Sequence, residues 1–247
     1  MRLNRVHVET PIRDSNTLNF DGNAANHVAR VLRLRTGQTL VLFDDSGAEY
    51  DATIEAVLRD SVRVSITGRR EIDRESPLAI TLAQGVSRGE RMDFVVQKAT
   101  ELGVRRIVPV MMERTMVKLD DAQADKRLRH WRAVAAAACE QCGRNRVPEI
   151  TLPVDLDDFL FGSAKDAHAG NLRLVLDPGS TLKVRDLAPP PAGATLLIGP
   201  EGGLSEDELA VALKTGYQGL QLGPRILRTE TAALAALTAI QLQLGDL

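Results

Sequence analysis

The stretch GPEGGLS at 199–205 is the most informative part of this sequence. It follows a short apolar strand predicted at 195–198. Its glycines and its proline indicate an unusual backbone path, with positive φ at a glycine. Ser205 and Glu208 have the spacing of a capping box, which predicts that a helix begins there. Glycines at the carboxyl end of a strand allow a ligand to lie against the backbone. Taken alone, the stretch fits a ligand loop and a plain tight turn equally well.

A second loop of the same kind, LGPRILRTET at 222–231, follows a strand predicted at 219–222. Thr229 is the expected N-cap of the helix that comes after it. Two such loops on neighbouring parallel strands would face each other at the edge of the sheet where α/β proteins bind ligands. On spacing alone, Arg228 and Glu230 are more simply explained as an ion pair at the start of a helix.

Neither loop has the pattern of a common nucleotide site. The Lys-Ser/Thr pair of a P-loop is absent, and the glycines do not have the G-x-G-x-x-G spacing of a dinucleotide turn. The sequence therefore gives poor support to ATP or NAD as the ligand.

Strands and helices alternate through the rest of the C-terminal part. Helices predicted at 88–102 and 126–141 separate strands predicted at 77–84, 106–111 and 172–176. This alternation predicts an α/β fold with a mostly parallel sheet and helices on both faces. The last helix, from Thr231, is apolar on more than one face and is expected to be buried all round.

The N-terminal part has a different pattern. Its predicted strands are short segments rich in Val, Ile, Leu and Thr, at 39–43, 48–54 and 61–67. A helix is predicted before them at 24–34. The charged segment EIDRESP at 71–77 ends in proline and is the candidate linker. We therefore expect a small β-barrel domain at 1–72 and a second domain at 78–247.

Composition limits the classes of function. The chain has 247 residues and a formal net charge of −2, which argues against a general polyanion binder. Aromatic residues make up only 3 %, so arginine must do most of the holding if RNA is the partner. There is no apolar N-terminal leader and no run of eighteen apolar residues, so we expect a cytoplasmic protein with no membrane partner. Cys139 and Cys142 lack a matching second pair, and no metal site is predicted.

The two glycine loops with their flanks, GPEGGLSEDEL at 199–209 and LGPRILRTETAALAAL at 222–237, resemble the C-terminal region of the SPOUT methyltransferases. The sequence is most similar to the RsmE family, which makes 3-methyluridine in 16S ribosomal RNA. Three further stretches fit that family in the same order: HVARVLRL at 27–34, SRGERMDFVVQKATELGV at 87–104 and ACEQCGRNRVPEI at 138–150. The match is poor over 152–194.

The resemblance implies a trefoil-knotted methyltransferase domain that binds S-adenosylmethionine, preceded by a PUA-like RNA-binding barrel. In such folds the methyl donor lies bent between the crossing loops. Carried over by position, the residues implied to bind it are Leu197, Ile198, Gly199, Pro200, Glu201 and Gly202 of the first loop, Leu222, Gly223, Ile226, Leu227, Arg228 and Thr231 of the second, and Leu176 at the end of an earlier strand.

The implied RNA partner is 16S ribosomal RNA within an assembled small subunit. A single surface arginine is usually only solvated, but clusters of arginine favour phosphate contact in a family of RNA enzymes. The residues implied to bind RNA are Arg5, Arg30, Arg33, Arg35, Arg91, Lys98, Arg144 and Arg146.

Methylation of uridine N3 requires that the imide proton leave, which spreads negative charge onto O2 and O4 of the base. The enzyme therefore needs a proton acceptor or cations that stabilise the imidate. Arg228 is the first candidate for that stabilisation and Glu230 a weaker candidate for the base. Arg88 is a candidate for holding the target nucleotide.

The resemblance also implies a homodimer through the knot region. Three rival functions stay open: a methyltransferase with another RNA target such as a transfer RNA ribose, a noncatalytic RNA-binding ribosome-assembly factor, and a small-molecule α/β enzyme. The glycine loops favour an enzyme over a binding protein, and the full-length match favours the ribosomal uridine.

Overall fold

The computed structural model describes residues 4–12, 16–165, 171–189 and 192–247, with the backbone alone for 163–165. It divides into two compact units. The first is Met1–Glu75 with Ala136–Val147, and the second is Ser76–Ala135 with Pro148–Leu247. The linker predicted at 71–77 contains the point where the chain passes from one unit to the other. The inclusion of 136–147 in the first unit has no counterpart in the sequence prediction.

The first unit is built on a sheet that, within the described residues, has five strands. They are β1 (Arg5–His7), β2 (Thr17–Asp21), β3 (Thr39–Phe43), β4 (Ala48–Val57) and β5 (Ser61–Glu71). Their order is β1-β3-β4-β5-β2, and β1 runs parallel to β3 while the other pairs are antiparallel. Alternation along β5 places Val62 and Val64 in a core with Leu40, Leu42 and Ile54. The three predicted strands are confirmed, although β4 and β5 are longer than predicted.

The prediction of one continuous α-helix at 24–34 is wrong, because the segment changes from an α-helix to a π-helix. Gly22–Asn26 forms α1, and His27–Val31 continues it as a π-helix in which the Leu32 N–H donates to the His27 carbonyl at 2.9 Å. Arg33 then takes a φ of +54°, which cannot continue a right-handed helix. Apolar spacing does not reveal a π-helix, because its bonds reach one residue further than those of an α-helix.

The second unit is built on a parallel sheet of seven strands among the described residues. They are β6 (Ile80–Gly85), β7 (Arg106–Met111), β8 (Glu149–Ile150), β9 (Val154–Asp155), β10 (Asn171–Leu176), β11 (Gly193–Ile198) and β12 (Gln218–Leu220). The order is β12-β10-β11-β6-β7-β8, with β9 also paired to β7, and every pair is parallel. The predicted α/β class is confirmed.

The helices of the C-terminal part are α2 (Glu90–Glu101), α3 (Asp121–Cys142), α4 (Leu156–Lys165), α5 (Glu206–Lys214) and α6 (Thr229–Leu244). The residue numbers of α3 extend across the boundary between the units, and α4 was not predicted. Over the described parts of the chain, none of the helices combines the length and the apolar character that crossing a bilayer requires.

The expectation that the last helix is buried all round is wrong for the single chain. One face of α6 is buried through Ala233, Ala236, Leu237 and Ile240. The other face is open, and Leu242 on it is 64 % exposed. That face forms a shallow apolar groove with α2. The groove, named here the α2/α6 groove, is lined by Phe94, Thr231, Leu234, Ala235, Thr238, Ala239 and Leu242.

Candidate functional site

A cavity of about 390 Å³ lies at the carboxyl ends of β10, β11 and β12. Its size falls within the range of small-molecule sites. Its walls are the two glycine loops and the end of β10. The lining residues are Leu176, Asp177, Pro178, Ile198, Gly199, Pro200, Glu201, Gly202, Gly203, Leu204, Leu209, Leu220, Leu222, Gly223, Arg225, Ile226, Leu227, Thr229 and Ala232.

The strands that carry the two loops are not neighbours, which corrects one detail of the prediction. β10 lies between β11 and β12 and pairs with both. The loops therefore face each other across the end of β10, where Leu176, Asp177 and Pro178 form the floor between them. A crossover of this kind opens a crevice at the carboxyl edge of a parallel sheet, and such a crevice is where α/β folds bind ligands.

The first loop, 199–205, is closely packed at Gly199 and Gly202, where an added side chain would collide with its neighbours. A Cβ on Gly199 would lie 2.8 Å from the carbonyl carbon of Gly203. Gly203 has a φ of +69°, which favours glycine. The capping box predicted for the following helix is confirmed: the Ser205 hydroxyl accepts from the Glu208 N–H, and the Glu208 carboxylate accepts from the Ser205 N–H at 2.8 Å. The loop thus enters α5 with a fixed geometry.

Arg114, which follows β7, supports the first loop from outside the cavity. Its guanidinium donates to the carbonyls of Gly202 at 3.1 Å and Leu204 at 3.2 Å. Glu208 reaches the same segment, because its carboxylate accepts from the Glu113 N–H at 2.7 Å. The segment after β7 is therefore joined to the first loop by two hydrogen bonds and to the first turn of α5 by a third.

The second loop is tied to the first through Thr229. The Thr229 hydroxyl donates to the Gly199 carbonyl at 2.6 Å and accepts from Gln84 Nε2 at 2.9 Å. The prediction that Thr229 is the N-cap is wrong. Arg228 occupies the N-cap position of α6 without a side-chain cap bond, while Thr229 is already helical. The hydroxyl is directed to the other loop instead of to its own helix.

The cavity contains more negative than positive side chains. Asp177 and Glu201 line it, and Arg225 is the lining residue with a positive charge within the described residues. Burial of the Glu201 carboxylate works to raise its pKa, but the Arg88 N–H and the Arg91 guanidinium, each 2.9 Å from Oε1, outweigh burial and lower the pKa. Glu201 is therefore ionised at neutral pH, and the cavity suits a ligand with positive charge better than a polyphosphate.

The residues implied to bind the cofactor are placed as follows. The members that line the cavity are Leu176, Ile198, Gly199, Pro200, Glu201, Gly202, Leu222, Gly223, Ile226 and Leu227. Leu197, which is fully buried in β11, is not among the lining residues. Arg228 is exposed and lies outside the lining, and Thr231 lies in the α2/α6 groove.

The three candidate catalytic residues lie close in the fold but make different contacts. The Arg88 side chain is exposed, and its backbone N–H donates to Glu201. Glu230 is half-buried, with Oε1 4.0 Å from Arg91 Nε and Oε2 buried without a hydrogen-bond partner. The simple ion pair between Arg228 and Glu230 does not form among the described contacts. Glu230 instead faces Arg91.

Most residues implied to bind RNA already have partners within the protein. Arg5 bonds to Glu49 and to Asn145, and Arg144 pairs with Glu75. The remaining engaged members are Arg91 with Glu201, Lys98 with Glu101, and Arg146 with the carbonyls of Asp45 and Ser46. Within the described residues, the side chains of Arg30, Arg33 and Arg35 are exposed and make no hydrogen bond or ion pair.

Several lining residues were missed from the sequence. Gly203, Leu204, Arg225 and Thr229 lie inside the two quoted loops, so a wider window would have included them. Asp177 and Pro178 lie in the segment where the family match is poor, and no sequence signal marked them. Arg114 is also missed, because its role depends on a contact between segments far apart in the chain.

Cys139 and Cys142 have a structural role. Cys139 is fully buried, and hydrogen bonding with Cys142 together with burial raises the pKa of its thiol. A thiol held in its protonated form is a poor nucleophile and a poor metal ligand. In the described parts of the chain, no group of three or more His, Cys, Asp or Glu side chains is arranged to hold a metal ion.

Comparison with known proteins finds RNA methyltransferases that match this chain over nearly its whole length. Residues 74–241 match the RNA methyltransferase domain family, and residues 20–67 match the RNA methyltransferase PUA domain family. The chain is 32 % identical to a ribosomal RNA small subunit methyltransferase E of Bacillus subtilis, over 94 % of this chain and 92 % of that protein. It is 31 % identical to the protein of that name from Buchnera aphidicola, over 100 % of this chain and 98 % of the relative.

Solved structures extend the likeness to the fold. A ribosomal RNA small subunit methyltransferase E from Neisseria gonorrhoeae bound to S-adenosyl methionine is 36 % identical, with a TM-score of 0.90 over 99 % of both chains. A Legionella pneumophila protein in complex with the cofactor SAM is 41 % identical, with a TM-score of 0.94 over 100 % of both chains. The chain belongs to the RNA methyltransferase family that includes the ribosomal RNA small subunit methyltransferase E proteins.

Proposed function

We propose that this protein uses S-adenosylmethionine to methylate N3 of a uridine in 16S ribosomal RNA of the small ribosomal subunit. The observation that carries the proposal is the cavity between the two glycine loops in a chain of the RNA methyltransferase family. The substrate of the relatives named small subunit methyltransferase E supports the choice of RNA. A ribosomal substrate also favours a cytoplasmic location.

The residues of the cavity fit the proposed cofactor. Gly203 and Gly223 line the cavity, and a Cβ added to either would enter open space, so at both positions the backbone is left accessible to a ligand. Apolar side chains such as Ile198, Leu222 and Leu227 suit a purine ring, and the carboxylates of Asp177 and Glu201 suit positive charge. S-Adenosylmethionine supplies a methyl group on a positively charged sulfur.

The chain's own residues are assigned to the uridine side of the reaction. The N3 proton must leave because the protonated nitrogen has no free lone pair to attack with. Glu230 is proposed as the proton acceptor, and its Oε2 keeps free lone pairs because no donor reaches it. The Arg228 guanidinium is proposed to stabilise the negative charge that spreads over O2 and O4 of the base. Arg88, exposed before α2, is proposed to hold the target nucleotide.

Single-turnover methyl transfer with saturating donor tests these assignments. We expect Arg228→Ala and Glu230→Gln to slow the transfer by about a hundredfold or more, as removal of an acid–base or electrostatic group does. Donor binding should stay near that of the wild type. Arg185→Ala, an equal loss of charge at a side chain that is 76 % exposed and outside the cavity, is the matched control. Wild-type rates in both variants would remove these residues from the chemistry.

The first unit is proposed to bind the RNA, as the PUA-like domain at 1–72, with the methyltransferase domain at 78–247. The exposed cations Arg30, Arg33 and Arg35 carry this proposal, since the other candidate cations are already paired. Replacing these three by alanine should weaken RNA binding and reduce its dependence on salt, by about 0.7 to 0.9 in the log–log slope for each phosphate that the protein no longer neutralises. Arg59→Ala, at a side chain that is 95 % exposed, is the control. An unchanged slope in the triple variant would contradict the assignment.

The proposed enzyme is a homodimer with a trefoil knot. The α2/α6 groove supports the dimer, because α6 is apolar on the face that the single chain leaves open. The knot is proposed from the family and from the crossing of the two loops at the end of β10, which the order of β10, β11 and β12 makes possible.

A further inference from the structure

A chain of hydrogen bonds runs between β6 and the two loops of the cavity. Gln84, on β6, donates from Nε2 to the Thr229 hydroxyl at 2.9 Å, and this hydroxyl donates to the Gly199 carbonyl at 2.6 Å. Gln84 is fully buried, and Thr229 is 7 % exposed. An amide NH₂ can only donate and a carbonyl can only accept, so the direction of the chain is fixed by the chemistry of its ends.

Gln84 is only partly explained by stability, although its Nε2 donates to the Gly85 carbonyl at 3.1 Å as well as to Thr229. Its Oε1 is buried without a hydrogen-bond partner, which opposes folding. Gln241, also fully buried, differs in this respect. Its Oε1 accepts from the Ser76 hydroxyl at 2.9 Å, and its Nε2 donates to the Leu102 carbonyl at 2.8 Å. An apolar side chain of similar length would fill the position of Gln84 without leaving an unpaired oxygen.

The position of this chain of hydrogen bonds connects the Gln84 amide to the cavity. Gly199 is the first residue of the first loop, Thr229 is the first residue of α6 in the second, and both line the cavity. Gln84 does not line the cavity, and its side chain bonds to the lining residue Thr229. Hydrogen bonds in series polarise one another, so the donor at Gln84 strengthens the bond from Thr229 to Gly199. That bond joins the two loops directly.

We propose that Gln84 is a positioning residue for the methyl donor. Through the Thr229 hydroxyl it fixes the Gly199 carbonyl and with it the spacing of the two loops that hold the cofactor. The inference rests on the proposed function, because the ligand whose binding it controls is S-adenosylmethionine. Gln84 itself touches neither the donor nor the reacting atoms.

The test is calorimetric titration of the full-length protein with S-adenosylmethionine. Gln84→Met keeps the length of the side chain and removes the amide, and Thr229→Val removes the hydroxyl. We expect each to raise the Kd about tenfold, the loss of roughly one hydrogen bond. The melting temperature of Gln84→Met should stay close to that of the wild type, because removal of the unpaired oxygen offsets the loss of the two hydrogen bonds that Nε2 donates. Thr229→Ser keeps the hydroxyl and should keep the wild-type Kd.

The double variant Gln84→Met/Thr229→Val should bind S-adenosylmethionine no more weakly than the single variant with the higher Kd. Both changes break the same chain of hydrogen bonds, so their effects should not add. Thr195→Val is the matched control. Thr195 is also 7 % exposed, and its hydroxyl bonds to Asn171 in the part of β11 that comes before the cavity. It should bind the donor normally.

Donor binding by Gln84→Met at the wild-type Kd would overturn this inference alone. So would additive losses in the double variant, or an equal loss in Thr195→Val. Failure of the wild-type protein to bind S-adenosylmethionine would overturn the proposed function, and the inference with it.

Discussion

At the residue scale, the cavity owes its form to two kinds of position: glycines that allow the backbone to come close, and charged side chains held by partners. Gly199 is the clearest of the first kind, since a Cβ there would be 2.8 Å from the backbone of both Gly203 and Leu204. Glu201 is the clearest of the second, held by the Arg88 N–H and by Arg91. Sequence indicated the glycines, but the partners of Glu201 come from the first turn of α2 and the residues just before it, which are far away in the chain.

Gly199→Ala should displace the first loop and weaken donor binding. We expect the Kd for S-adenosylmethionine to rise by about tenfold or more, because misplacing the cradle by a fraction of an ångström removes several contacts together. Calorimetric titration measures the change. Gly162→Ala is the control: it lies in α4 with open space around the added Cβ. It should bind the donor normally and stabilise the protein by about 0.5–1 kcal/mol. Equal donor binding by both variants would contradict the role of Gly199.

Glu49 provides a pH-dependent prediction in the first unit. Burial works to raise the pKa of its carboxyl, but the hydrogen bond from Arg5 and the nearby charge of Arg74 lower the pKa below the ordinary 4.5. A carboxyl whose pKa is lowered on folding stabilises the folded state above its unfolded pKa. That stabilisation is lost as the pH falls through the folded pKa.

Glu49→Gln should therefore destabilise the protein by about 3 kcal/mol at pH 7, because the buried Arg5 loses its counter-charge. The difference from the wild type should shrink as the pH falls below 4.5. Urea denaturation at a series of pH values measures both effects. Asp60→Asn, at a side chain that is 85 % exposed, should show neither. A difference that stays constant with pH would show that Glu49 acts through packing alone.

At the element scale, the features that depend on local sequence were predicted correctly, and those that depend on tertiary structure were not. The strands β3 and β7 begin and end where the apolar runs do, because a strand buried in a sheet is read directly from its composition. The capping box before α5 is equally local. The π-helix at His27–Val31 and the place of β10 between β11 and β12 are not local. They depend on backbone winding and on crossovers that residue spacing does not encode.

The candidate site follows the same division. The two glycine loops were found because glycine and proline constrain the chain wherever they occur. Asp177 and Arg114 were missed because an ordinary side chain gains a role only from what folds against it. Thr229 was predicted as a cap because its type and position fit one, yet its hydroxyl bonds to Gly199 in the other loop.

The capping box of α5 has a measurable effect on stability. Ser205→Ala removes the acceptor of the Glu208 N–H, and we expect the free energy of unfolding to fall by about 1 kcal/mol. Urea denaturation checks the value. Ser205→Asp restores an oxygen acceptor at the N-cap and should recover most of the loss. If the alanine variant is as stable as the wild type, the box does not hold the start of α5.

At the scale of the whole molecule, the open face of α6 is the main feature that the single chain leaves unexplained. Exposure of Leu242 on α6 and of Phe94 on the neighbouring α2 is costly in water, and we propose that a second copy covers this surface. Sequence predicted that this helix is buried and also that the protein is a dimer. The helix can be buried on all sides only if a partner chain covers the face that the single chain leaves open.

Leu242→Asp should shift the protein from dimer to monomer, since it places a charge in the α2/α6 groove. Light scattering after size-exclusion chromatography measures the mass directly. Leu213→Asp, at a side chain of α5 that is 43 % exposed and outside that groove, should leave the mass unchanged. A wild-type protein that is monomeric at all concentrations, or a dimeric Leu242→Asp variant, would contradict an interface at the groove.

The central claim, that this chain methylates N3 of a uridine in 16S ribosomal RNA, is tested most directly by one measurement. Small ribosomal subunits from cells that lack the protein are incubated with it and with labelled S-adenosylmethionine, and the labelled nucleoside is identified. We expect the label in 3-methyluridine of 16S RNA. Label in another nucleoside would contradict the uridine assignment while keeping the cofactor, and the absence of label from every RNA would contradict the claim as a whole.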